Sequence, residues 1–141
     1  MQTLILKPKE NPVVLELPLF STRIAAGFPS PADDFLDKTL DLNEHLIHHP
    51  ASTFFIRVVG DSMINVGIFE GDLLIVDKSL EAKNGSIVVA IIQGEFTVKK
   101  LVLKGDKIFL VPENPNHQSV EIRDAMHFEV WGVVTNVIHS L

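Results

Sequence analysis

From Pro50 onward the apolar residues gather into six short runs: TFFIRVV, DLLIVD, SIVVAII, EFTVKKLVL, KIFLV and FEVWGVVTNVI. These runs are rich in Val, Ile and Phe, and Gly, Asn, Asp or Pro separates them, the pattern of strands joined by turns. Several are apolar at consecutive positions, not at alternate ones. Successive residues of a strand point to opposite faces, so such a strand must bury both. An open sheet with one wet face does not do this, whereas a folded-over or barrel-like body does. The expected fold is therefore mainly β: a compact, folded-over sheet over residues 51–141, with short helices and an extended N-terminal arm ahead of it.

The first 32 residues read differently. Pro8, Pro12, Pro18, Pro29 and Pro31 fix φ and remove backbone donors, leaving room for short extended pieces such as Val13–Leu17. Within this arm, RIAAGFPSPAD (Arg23–Asp33) is too apolar for a solvated tail, yet its prolines argue against any regular element running through it. Small residues around a glycine describe a segment that can be held extended. Residues 33–49 then turn helical in pattern. Ser30 can cap, Pro31 suits a first helical position, and Asp33 and Asp34 favour the positive end of a helix dipole. A second start lies at Asp41, with Glu44 in the capping-box position. The expected organisation is an arm over 1–32 and one domain over 33–141.

Composition narrows the function classes. With 46% hydrophobic and 21% charged residues the chain can bury a real core. A net charge of −6 without any basic cluster argues against direct binding to a phosphate backbone, so nucleic acid would be approached through a protein partner. The absence of cysteine excludes disulfides, thiolate metal sites and a thiol nucleophile. The longest apolar runs are strand-sized, so neither a signal peptide nor a membrane span is expected, and the location expected is cytoplasmic.

Three stretches could carry chemistry. In VVGDSMINVGIFEGDLLIVD (Val58–Asp77), a β run ends at Gly60 and Ser62 sits in the turn that follows. Gly60, Gly67 and Gly71 permit tight turning, which can present a serine together with its own N–H towards a substrate carbonyl. Gly-Asp-Ser is also ordinary turn composition. In EFTVKKLVL, alternation puts Lys99 with Thr97, Leu101 and Leu103, and Lys100 with Phe96, Val98 and Val102. Both faces are apolar, so periodicity leaves open which lysine is buried. Lysines commonly protect an edge strand; one desolvated among apolar neighbours would instead lose its proton readily and serve as a general base. In HLIHH, His45 and His49 stand four apart with no third ligand nearby, and a solvated helix end is the better reading. His117, His127 and His139 are isolated in sequence, and neither a Ser-His-Asp arrangement nor a Gly-rich phosphate loop is visible. No metal and no cofactor is expected.

GDSM, then GIFEGDLLIVD, then GEFTVKKL stand in the order and spacing of the LexA/UmuD group of self-cleaving serine peptidases, and the chain resembles that family. PLFSTRIAAGFPSPADD followed by LDLNEHLIHHPASTFFIRVVGDSM is more narrowly similar to its UmuD-like branch, the accessory subunits of error-prone DNA polymerases in the SOS response. The resemblance runs from about Pro18 to Val134. It implies Ser62 as nucleophile and Lys99 as its base, with a peptidase-like β body around them. It places the scissile bond at Ala26–Gly27, where the best-known UmuD has a cysteine before the glycine and LexA-type sites have Ala-Gly. The backbone N–H of Ser62, with that of Asp61, then becomes the oxyanion donor set. The resemblance further implies a homodimer, cleavage assisted by a RecA filament on single-stranded DNA, and a UmuC-type polymerase subunit as partner of the trimmed form. No helix-turn-helix region is expected ahead of the arm, which separates the chain from LexA-type repressors. Competing expectations are a non-catalytic scaffold of the same fold, a repressor fragment, and a membrane signal peptidase, which the missing anchor disfavours.

Overall fold

A computed structural model describes residues 5–20, 26–28 and 36–141; for 20 and 36–38 it describes the backbone alone. The chain divides into two compact units, Met1–Pro8 with His49–Leu141, and Lys9–His48.

In the larger unit eight strands form one antiparallel sheet. They are β1 (Ile5–Leu6), β4 (Thr53–Arg57), β5 (Leu73–Asp77), β6 (Ile87–Ile92), β7 (Glu95–Lys104), β8 (Lys107–Val111), β9 (Val120–Ile122) and β10 (Phe128–Ile138). Their order across the sheet is β1-β4-β5-β10-β6-β7-β8-β9. All six apolar runs after Pro50 are strands. The core lies on both faces, as consecutive apolar residues require. Along β6, Val89 packs with Ile56, Val58, Leu74 and Val76, whereas its neighbours Val88 and Ala90 pack with Leu101 and Leu110. Register shifts at Val130/Gly132 and Val134/Asn136 interrupt β10, the long central strand; such bulges bend a strand and increase its twist. Gly132 is required there, since a Cβ would lie 2.6 Å from the Cγ1 of Val76. Trp131 of the same strand meets Phe54 of β4 and Phe96 of β7 edge to face, with ring centroids 5.1 and 5.7 Å apart.

Asp77, at the end of β5, ties the entrance of β4 to the exit of β5. The residue is 5% exposed, and its carboxylate accepts from Ser52 Oγ at 2.9 Å, Ser79 N at 2.9 Å and Ser79 Oγ at 2.7 Å, with His49 Nδ1 2.6 Å away. Burial raises its pKa, but the hydrogen bonds from Ser79, His49 and Ser52 outweigh burial and lower it to about 2. A carboxylate whose pKa is depressed on folding stabilises the fold above its unfolded value of 3.8 and loses that contribution as pH falls towards 2. Asp77→Asn is expected to cost roughly 2 kcal/mol at neutral pH. Urea melts of wild type and variant should converge as the pH is lowered from 4 to 2; parallel curves would remove the carboxylate from the account.

The smaller unit corrects one expectation. Strand β2 (Glu16–Phe20) pairs antiparallel with β3 (Leu36–Asp41), from Glu16↔Asp41 to Phe20↔Leu36. Leu36–Asp41 was expected within a helical segment over 33–49 and is a strand. The two-stranded ribbon tolerates Pro18 because, among the described residues, one side of β2 carries no partner strand. Of the expected extended piece Val13–Leu17, only Glu16 and Leu17 fall in a strand. Helix α1 (Leu42–Leu46) begins at the second start: Asp41 is its N-cap, accepting from Asn43 N at 3.0 Å, and Glu44 lies in its first turn. The first start, at Ser30–Asp34, lies outside the described residues. No helix among the described residues is long and apolar enough to cross a membrane.

Candidate active site

Ser62 and Lys99 are 37 residues apart in sequence and meet in space: Lys99 Nζ donates to Ser62 Oγ at 3.0 Å. Three strands separate β4 from β7 in the sheet order. In a flat sheet those two strands would lie about 19 Å apart. Folding the sheet over brings the β4–β5 connection, which carries Ser62, onto β7. Glycines shape that connection. Gly60 and Gly71 adopt φ of +90°, a region other residues disfavour, and they bracket a compact loop in which Val58 N donates to Asp72 O and Gly71 N to Val58 O.

The ambiguity between the two lysines is resolved on opposite faces of β7. Lys100 turns to Glu113, making an ion pair at 2.6 Å. Lys99 is half-buried and has no carboxylate partner among its hydrogen bonds; its Nζ also donates to Thr97 Oγ1 at 2.8 Å and to the Val98 carbonyl at 3.1 Å. Burial pushes its pKa below the ordinary lysine value of 10.5. An ammonium needs three acceptors and has three here. After it loses a proton, two N–H groups can stay on Thr97 and Val98 while the lone pair faces Ser62. That arrangement can take a proton from the serine hydroxyl.

A cleft of about 240 Å³ opens over the pair, with Ile56, Val58, Met63, Val89, Phe96 and Val98 among its apolar walls and Asp61, Ser62, Lys99 and His117 among its polar ones. The N–H groups of Asp61 and Ser62 are not taken by other backbone groups of the described residues. Ala26 and Gly27 belong to the smaller unit, in an exposed bend with Phe28, while Arg23–Ala25 lie outside the described residues.

Two of the three histidines that stand isolated in sequence have carboxylate partners in the fold. His117 Nε2 lies 2.7 Å from Asp61 Oδ1, beside Ser62 in the same turn, and His139 Nδ1 lies 2.5 Å from the buried carboxylate of Asp72. Burial opposes ionisation of Asp72, but the Phe69 N–H and His139 outweigh it and lower its pKa. His45 lies in the last turn of α1 and His49 lies beyond the helix, at the 3₁₀ turn Pro50–Ser52, so the two do not share a helix face. Among the described residues no group of three potential metal ligands comes together. Asn114, only 4% exposed, donates through Nδ2 to the Asp61 carbonyl at 2.9 Å. Sequence reading passed over it, because PENPNH carries only turn signals. Thr97 was more visible: alternation already placed it on the Lys99 face.

The family model described as Peptidase S24-like matches residues 18–135. Protein SamA of Salmonella typhimurium strain LT2 is 46% identical over 137 residues, covering 97% of this chain and 95% of that protein. Protein MucA of Escherichia coli is 46% identical over 129 residues, 91% of this chain and 86% of that protein. The LexA repressor of Shewanella denitrificans is 41% identical over 136 residues, which make up 96% of this chain and 65% of the repressor.

Proposed function

The chain belongs to the S24-like peptidase family, in its LexA/UmuD group, and from that premise we propose a self-processing peptidase whose substrate is its own N-terminal arm. The observation that carries the reading is the Lys99–Ser62 hydrogen bond of 3.0 Å, made by a lysine that burial disposes to be neutral. Neutral Lys99 takes the Ser62 proton as Oγ bonds to the Ala26 carbonyl carbon. The negative charge that develops on the carbonyl oxygen is met by the Ser62 and Asp61 N–H groups. Collapse of this tetrahedral species breaks the Ala26–Gly27 bond, and the Lys99 ammonium returns its proton to the departing Gly27 amine. Water, deprotonated by the same lysine, then adds to the Ala26 carbonyl carbon; the bond to Ser62 Oγ breaks, and Lys99 hands its proton back to that oxygen. The products are residues 1–26 and the chain beginning at Gly27.

Small side chains suit this role. An extended segment with alanine and glycine at the bond can approach the backbone of a narrow apolar cleft, where bulkier residues would hold it off. A RecA filament on single-stranded DNA would act by population shift, favouring arm conformations with the Ala26 carbonyl at Ser62. The trimmed homodimer would serve as accessory subunit of an error-prone, UmuC-type polymerase. A net charge of −6 fits contact with DNA through such partners and not through its own surface.

The test is the mass of the purified chain after incubation with RecA assembled on single-stranded DNA. A fragment starting at Gly27 is expected. A fragment starting elsewhere would move the scissile bond, and an intact mass both there and at alkaline pH would leave a non-catalytic scaffold of the same fold.

A further inference from the structure

The turn that carries Ser62 is held from outside by a segment the reaction does not use, Glu113–His117. Three of its contacts reach the turn. Asn114 Nδ2 donates to the Asp61 carbonyl at 2.9 Å, His117 Nε2 meets the Asp61 carboxylate at 2.7 Å, and the Glu113 carbonyl accepts from Asn65 N at 2.8 Å. The segment is itself fixed. Asn116 N donates to Asn114 Oδ1 at 3.0 Å, His117 N donates to the Asn114 carbonyl at 3.0 Å, and Glu113 is paired with Lys100 on β7. Asn114 is the buried member of the set, and both ends of its amide have partners.

The Asp61 carbonyl and the Ser62 N–H are two ends of one peptide unit. That unit is planar and trans, so its C=O and N–H point in opposite directions. A donor that fixes the carbonyl therefore fixes the direction of the N–H as well. We infer that Asn114 is a positioning residue for the cleavage reaction: by holding the Asp61 carbonyl it aims the Ser62 N–H at the oxygen that becomes negatively charged. The inference rests on the peptidase reading above. Asn114 touches neither nucleophile nor base. Its contribution is to hold a donor preorganised, and such donors lose their value when they are free to turn.

Asn114→Ala removes this constraint and leaves Lys99 with its three partners. The self-cleavage rate on the alkaline plateau, where Lys99 is neutral, is expected to fall about 10- to 100-fold, a step short of deleting the donor itself. The midpoint of the pH–rate profile is expected to stay where it is in wild type. A merely structural role would hydrate the cleft and move that midpoint up towards the ordinary lysine value, and such a shift accompanying the loss would overturn the inference. So would a plateau rate within twofold of wild type, and in that case Ser62→Ala, inactive in parallel, would leave the peptidase reading standing. If wild type itself fails to cleave, both fall together. Should the alanine variant melt below the assay temperature, Asn114→Asp takes its place and is read by plateau rate alone. It keeps the shape and the acceptor for Asn116 but, ionised, offers Asp61 no donor, so a plateau rate at the wild-type level would overturn the inference as well.

Discussion

A Ser62→Ala chain held at alkaline pH is expected to keep its full mass while wild type loses residues 1–26. Removing a serine nucleophile leaves only binding and oxyanion stabilisation, and the loss in rate is on the order of 10⁶. The fold should not register the change. Ser62 Oγ accepts one hydrogen bond from Lys99, and after its removal Lys99 Nζ still has Thr97 Oγ1 and the Val98 carbonyl. Wild type and variant should therefore melt within a few degrees of each other. Mass spectrometry after a long incubation decides the matter. A purified Ser62→Ala chain that still yields the fragment beginning at Gly27 has another nucleophile, and the roles assigned to Ser62 and its N–H would go with it.

Legibility in the sequence followed the range of the interactions. The six runs after Pro50 announced themselves because each is apolar on both faces, a local record of a two-sided core. The β2–β3 ribbon left no such record. Pro18 sits inside β2, and Leu36 and Leu40 of β3 stand at a spacing that suits one turn of helix as well as it suits a strand. Pairing with a segment some twenty residues away decided between them, and no window of sequence contains that pairing. The same division runs through the site. Ser62 stood out by its glycine-flanked turn and Lys99 by its apolar strand, whereas resemblance, not periodicity, chose between Lys99 and Lys100. Asn114 lies 53 residues from Asp61 and only the folded chain brings them together. His117 and His139 were isolated in sequence for the same reason: their carboxylate partners are 56 and 67 residues away.

Lys99→Arg separates a base from a positive charge. Arginine keeps the positive charge on a stem of similar reach and can still donate to the Lys99 acceptors, but its planar guanidinium does not give up its proton across the working pH range. If Lys99 only stabilised the turn or the developing oxyanion, the variant would retain activity. If it takes the Ser62 proton, cleavage falls on the order of 10² to 10⁴ and its pH dependence vanishes. Wild type should behave in the opposite way. Burial lowers the Lys99 pKa, so the neutral amine becomes populated below the ordinary 10.5; the rate should climb with pH through that depressed value and then level off. Stability carries the same sign. Between the folded and unfolded values the unfolded chain binds the extra proton, so wild type gains stability as pH rises through that window and loses it as pH falls. Lys99→Met keeps the stem without the titration. It should be at least as stable as wild type at neutral pH, with the gap closing towards pH 10.5. Cleavage by Lys99→Arg with the wild-type profile, or a wild-type rate that is flat from neutral to alkaline pH, would take the role of base away from Lys99.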